Sequence, residues 1–130
     1  SMLNEYHSAC REESMANFED AITTYAKIDL VVATSAQHGM GAYSAAEAAG
    51  RTEMLIAAYD GEAEEMEAID NGTGTYLCTV TQDPVGMSET IAQQVEDYIF
   101  NGATYEQFQS APAGVYGKDG QLSAADLGIG

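Results

Sequence analysis

The chain has 130 residues, 45% of them hydrophobic, which is enough for one domain with a real core and no obligatory disulfide staples. Four Lys and Arg stand against 21 Asp and Glu, a formal net charge of -17. A surface that negative repels phosphate backbones and anionic lipid, so nucleic acid and direct membrane contact are disfavoured, and no apolar run approaches a membrane span.

Residues 13 to 27 carry Met15, Phe18, Ile22 and Tyr25 at helical spacing with acids on the other face, predicting a helix. A strand follows over 29 to 34. The Ala-rich stretch from Gly39 to Ala49 predicts a second helix stopped by Gly50. Residues 54 to 59 read as a strand running into the tight turn Asp60-Gly61. Helix 62 to 70 follows, with Ala63, Met66 and Ile69 expected inward, Glu62, Glu64, Glu65 and Glu67 expected in solvent, and Asn71-Gly72 at its end.

Strand 76 to 81 leads into Asp83-Pro84, an acceptor side chain and then a proline, which together open a helix over 85 to 100. That helix places Met87, Ile91, Val95 and Tyr98 on one face and ends at Asn101-Gly102. Gly114, Gly117, Gly120, Gly128 and Gly130 then punctuate a weakly patterned tail, with one short strand expected near 113 to 116. Residues 1 to 102 thus read as the structured unit and residues 103 to 130 as a Gly-rich extension.

Apolar runs alternating with helical patterns predict an α/β fold, a partial Rossmann-like parallel sheet of three or four strands with crossover helices. Such a sheet gathers its strand ends on one rim, where ligands bind. At that rim fall Ser35, Asp60 and Gln82. Asp60 offers two acceptor oxygens, while Gln82 and Ser35 both donate and accept, a set suited to a neutral polyhydroxylated ligand. Each also has an ordinary structural use: Asp60 as a helix cap, Gln82 as a loop tie, Ser35 as a strand end.

Other patterns carry less chemistry. Gly39-Met40-Gly41 lacks the third glycine of a dinucleotide fingerprint and is better explained by a helix packed closely on a sheet. His7 and His38 have no partners at metal-ligand spacing, and no nucleophile elbow occurs. No metal site and no cofactor are predicted. Asp119-Gly120 with Asp126 resembles half of a calcium loop, but Val115 and Gly117 stand where side-chain oxygens would be needed. Cys10 and Cys78 are read as half-buried free thiols rather than a bridge. Ser1-Met2 reads as an expression scar ahead of an internal start.

From Phe18 to Gly102 the chain resembles the C-terminal portion of type I periplasmic sugar-binding proteins, the ribose-binding-like solute receptors of ABC transporters. The matching pieces are Ile28-Asp29-Leu30-Val31-Val32-Ala33, Met40-Gly41-Ala42 through Ala48-Ala49-Gly50, Tyr59-Asp60-Gly61, Glu67-Ala68-Ile69-Asp70-Asn71-Gly72 and Thr79-Val80-Thr81-Gln82-Asp83-Pro84-Val85-Gly86-Met87. The resemblance implies a non-enzymatic, two-lobed receptor that closes on a sugar or polyol by hinge motion and serves ABC permease subunits from an extracellular or periplasmic position, with a lipoprotein anchor as one form. Asp60 and Gln82 match family residues that hydrogen-bond sugar hydroxyls, and Arg11 matches a ligand-binding arginine more loosely. Ser35-Ala36 departs from the family's Asn-Asp, of which the Asn contacts ligand.

The resemblance further implies that the first lobe, and the strand and helix opening the second, lie outside this stretch. The strand at 29 to 34 is then an open edge, through which a second copy is expected to pair unless the chain rearranges to cover it. The sensor half of a LacI-type sugar-responsive repressor shares the fold and the Asp after the aromatic. It commonly carries a Pro-Asp step that Gly50-Arg51-Thr52-Glu53 lacks. A sugar chemosensor is a further alternative. A flavodoxin-like enzyme using Asp60 as general base would need a second titratable group, and the predicted rim brings no His or Lys.

Overall fold

Each apolar run becomes a strand and each amphipathic stretch between them a helix. The computed structural model describes residues 4–123. Its elements are α1 (Arg11–Thr24), β1 (Leu30–Val32), α2 (Ala36–Ala49), β2 (Leu55–Asp60), α3 (Ala63–Asn71), β3 (Tyr76–Thr81), α4 (Pro84–Phe100), β4 (Gly114–Gly117) and β5 (Gly120–Ser123). They form one five-stranded sheet in the order β1-β2-β3-β4-β5. The first three strands are parallel, while β4 and β5 add on as an antiparallel pair.

The fold class is as expected, with one strand more than predicted. Residues 120–123 lack an apolar alternation of their own. They become β5 because Tyr116 pairs with Gln121 and Gly117 with Gly120 across a turn in which Gly120 takes φ 96°. Of the half calcium loop, Asp119 and Gly120 fall at this turn, and Asp126 lies outside the described residues.

Consecutive crossovers step the same way along the sheet, which places α2 and α3 on one face. Beneath them lie Val31, Met54, Ile56, Ala58 and Tyr76, met by Ile69 of α3, with Phe18 and Ile22 of α1 packed against this core. Small residues allow the close approach. A Cβ at Gly39 would meet the Tyr76 hydroxyl and come within 2.8 Å of Ala58 Cβ, and one at Gly41 would lie 2.6 Å from the Arg11 carbonyl oxygen. Gly39 therefore seats α2 on the sheet, and Gly41 seats it on α1. The opposite sheet face stays open, with Leu30, Val32, Tyr59 and Leu77 exposed.

Two burial expectations on α3 are corrected: Ala63 is exposed and Glu65 is fully buried, so the acidic run is not uniformly solvated. On α4 no residue is buried, and Ile91, Val95 and Tyr98 face solvent together with Ile99 and Phe100. The helix forms from its local signals: Asp83 Oδ1 accepts from the Gly86 amide at 2.9 Å and Pro84 occupies the first turn. No residue of α4 is buried against this lobe.

Candidate ligand-binding rim

The carboxyl ends of β1, β2 and β3 meet the amino ends of α2, α3 and α4, where unsatisfied helix amides concentrate partial positive charge. Asp60 ends β2 opposite Thr81 of β3. Its carboxylate is held on both sides: Oδ2 accepts from the Ala36 amide at 2.9 Å, at the start of α2, and Oδ1 accepts from Gln82 Nε2 at 2.8 Å. A carboxylate facing the first turn of a helix is stabilised by the dipole as well as by the bond. Residues 24 and 22 positions apart from Asp60 are thereby joined at one point.

The backbone there is unusual. Asp60 has φ 120°, the only non-glycine residue with positive φ among those described, and Gly61 follows at φ 76°. A conformation of this kind costs about 1–3 kcal/mol and persists only where the surroundings impose it. Gly61 is also sterically required, since a Cβ would come within 2.8 Å of Thr81 Cγ2.

The other predicted site residues are placed as follows. Ser35 is the N-cap of α2, its hydroxyl oxygen accepting from the His38 amide at 3.3 Å. The His38 ring nitrogen Nδ1 lies 3.3 Å from Thr34 Oγ1. Arg11 sits at the same end of the molecule, because its carbonyl abuts Gly41 in the first half of α2. Its guanidinium is engaged by Glu64 near the start of α3, in a two-point pair at 2.8 and 2.5 Å. That pairing holds the Glu64 carboxyl below the ordinary carboxylate range. Arg11 Nε is buried and has no hydrogen-bond partner. Asp60, Gln82 and the α2 amino end converge; Arg11 is committed to a separate ion pair on the same rim.

Three residues that support the rim escaped the sequence reading. Glu65 Oε2 accepts from the amides of Gly61 at 2.9 Å and Glu62 at 2.8 Å. Thr79 Oγ1 accepts from the same Gly61 amide at 3.1 Å. Gln121 of β5 donates to Thr81 Oγ1 at 2.8 Å. Only the capping-box spacing of Glu62 and Glu65 could have hinted at the first. Cys10 and Cys78 are both free and half-buried, and burial pushes the Cys78 thiol up. A shallow groove between α2 and α3, lined by Met40, Tyr43, Glu64 and Gly72 among others, does not include Asp60 or Gln82. The rim is an open surface.

An α/β lobe with its polar side chains gathered at the carboxyl rim is the architecture of a ligand-binding lobe. A family model described as the periplasmic binding protein domain matches residues 5–103, and the chain belongs to that family. No curated protein matches. Among solved structures, the chain is similar to an ABC sugar transporter subunit from Rhodobacter sphaeroides, at TM-score 0.79 and 23% identity over 92% of this chain and 43% of that one. It is also similar to an ABC transporter solute-binding protein from Agrobacterium vitis with bound allitol, at TM-score 0.79 and 22% identity, covering 89% of this chain and 41% of the other. A periplasmic solute-binding protein from Actinobacillus succinogenes with bound D-allose gives TM-score 0.76 and 21% identity, covering 84% and 37%. At these identities the likeness is one of fold, and the chain spans less than half the length of each. The matching family is described as a binding-protein domain, and the Agrobacterium and Actinobacillus neighbours as solute-binding proteins.

Proposed function

We propose that this chain is part of the C-terminal lobe of a two-lobed, periplasmic or extracellular receptor that captures a sugar or polyol for an ABC-type importer. The observation that carries the reading is the convergence of Asp60 and Gln82 at the strand ends, 2.8 Å apart. A carboxylate and an amide at that separation offer adjacent acceptors and a donor, the complement of neighbouring hydroxyls. Ser35 and Arg11 complete the proposed contact set, Arg11 after exchanging Glu64 for solute. The unburied α4 and the open sheet face fit a lobe that docks against further protein. ABC permease subunits and a lipoprotein anchor belong to the same reading.

The test is calorimetric titration of the two-lobed protein containing this chain with allitol, D-allose and glycerol, beside its Asp60→Ala and Gln82→Ala variants. A charge-assisted hydrogen bond contributes about 1.5–3 kcal/mol, so Asp60→Ala is expected to weaken binding by roughly one to two decades. Gln82→Ala should weaken it by about tenfold. Equal affinity in all three forms rejects the site.

The free side of β1 is the surface through which we expect the chain by itself to pair with a second copy. The Ala33 amide donates to Ala57 O at 2.9 Å and the Leu55 amide to Asp29 O at 3.2 Å. The odd-numbered residues therefore face β2, and Leu30 and Val32 turn their backbone groups outward. Sedimentation of the wild type should give a dimer that strengthens with salt, as screening relieves the -17 charge, and Val32→Pro should give a monomer. A wild-type monomer at high salt rejects this pairing.

A further inference from the structure

Glu65 is the one fully buried acid among the described residues, on a helix whose other acids face solvent or lie near it. Capping α3 explains one oxygen: Oε2 takes the amides of Gly61 and Glu62. Capping does not explain the second. Oε1 accepts the Tyr76 hydroxyl proton at 2.7 Å, and both side chains are closed to solvent. The Tyr76 ring stands edge-on to Tyr43 at 5.7 Å, with its hydroxyl against Gly39 of α2. One carboxylate thus ties the end of β2, the start of α3 and the first residue of β3 together, with α2 as the wall behind.

What this arrangement grips is the amide immediately after the strained Asp60. We propose that Glu65 is a positioning residue for the solute-binding rim: through Gly61 and Glu62 it imposes the backbone rotation at Asp60 that aims the Asp60 carboxylate at α2 and Gln82. The proposal rests on reading Asp60 as a solute contact and adds what sets its direction. Without the clamp, Asp60 relaxes toward ordinary negative φ, and its carboxylate leaves both partners at once. Burial and the Glu65 contact push the Tyr76 hydroxyl far up, so it remains a proton donor to the carboxylate throughout the working range. Gly39 is part of the same device, because any side chain there would displace the Tyr76 hydroxyl.

The test is amide hydrogen exchange and side-chain NMR on the 130-residue chain and its Glu65→Ala, Glu65→Gln and Tyr76→Phe variants. The diagnostic signals are the Ala36 amide and the Gln82 side-chain amide, neither of which touches Glu65 but both of which bond Asp60. Glu65→Ala should speed Ala36 exchange about tenfold relative to Ala42 in the same helix, the factor carried by one ordinary hydrogen bond. The Gln82 signal should move to its position in Asp60→Ala. Glu65→Gln should restore most of the protection, since its amide oxygen still accepts from Gly61 and Glu62. If Glu65→Ala does not fold, Tyr76→Phe is read the same way, with a few-fold effect expected. Unchanged Ala36 and Gln82 signals in a folded Glu65→Ala, or in Tyr76→Phe when that variant is the one read, overturn the proposal. Allitol, D-allose and glycerol are titrated separately into the two-lobed protein, with Asp60→Ala as control. Equal affinity in wild type and Asp60→Ala would reject the solute reading without touching the exchange result, so the two failures are separable.

Discussion

Gln82 Nε2 lies 2.8 Å from Asp60 Oδ1, and the other oxygen of that carboxylate faces the first amide of α2 at 2.9 Å. Two side chains from neighbouring strand ends thus satisfy one another while remaining at the surface. A solute hydroxyl entering here exchanges one hydrogen bond for another, so the net gain per contact is modest and selectivity depends on how well the carboxylate is aimed. The strained Asp60-Gly61 step is what aims it.

Replacing Gly61 tests that step. Gly61→Ala adds a Cβ within 2.8 Å of Thr81 Cγ2 at a residue with φ 76°. Strain and overlap together should destabilise by about 2–4 kcal/mol. Urea unfolding followed by circular dichroism measures it.

Gly39 and Gly50, both in or at the end of α2, should respond differently. A Cβ at Gly39 meets Tyr76 and Ala58, whereas one at Gly50 meets nothing within 4 Å but sits at φ 66°. Gly39→Ala should cost about 2–3 kcal/mol through overpacking, and Gly50→Ala only about 1 kcal/mol through backbone strain. Equal losses would show that the α2 contact with Tyr76 yields easily.

The Arg11–Glu64 pair predicts a pH effect. Its hydrogen bonds hold the Glu64 carboxyl below its ordinary pKa in the folded state. A carboxyl that is more acidic when folded stabilises above its unfolded pKa and loses that contribution as pH falls through the folded value. The side chains are 30% and 49% exposed, which limits the pair to about 1 kcal/mol or less. Glu64→Gln should therefore be slightly less stable than wild type near pH 7, with the difference shrinking as the pH falls below the ordinary glutamate range. Urea melts of both proteins along an acid series check this.

Helix α4 should be the least protected helix of the chain as it stands. It buries no residue, and helices in proteins draw most of their stability from packing an apolar face. Its amides should exchange by local opening, orders of magnitude faster than those of α2, whose Met40, Ala42, Ala45 and Ala46 are buried. Ile91→Ala and Tyr98→Ala should leave the unfolding midpoint of this chain within about 0.5 kcal/mol of wild type.

The elements themselves were legible because their signals are local. β3 runs over Tyr76–Thr81 as the apolar run predicts, Gly50 ends α2 in the left-handed region, and Asp83-Pro84 opens α4. Asp60 and Gln82 were legible as rim residues for the same reason, since their place follows from strand order. Glu65 is expected in solvent with Glu62, Glu64 and Glu67 because its one distinguishing local signal, the capping-box spacing to Glu62, does not say that the side chain is buried. Its partner, Tyr76, is eleven positions away on another element. On α4 the face shared by Ile91, Val95 and Tyr98 stays exposed, because amphipathic spacing says which side a helix would bury, not whether a surface is there to cover it.

By itself the sequence determined the order of strands and helices, the parallel start of the sheet and the rim on which polar groups collect. Periodicity, caps and turn residues act over a few neighbouring positions. Only the tertiary structure decided that Asp60 is strained and doubly bonded, that Arg11 belongs to Glu64, that Glu65 is buried under Tyr76, and that residues 120–123 form a fifth strand. Each of these depends on groups brought together from distant positions, where packing and desolvation choose among partners that the chain, read locally, leaves equivalent.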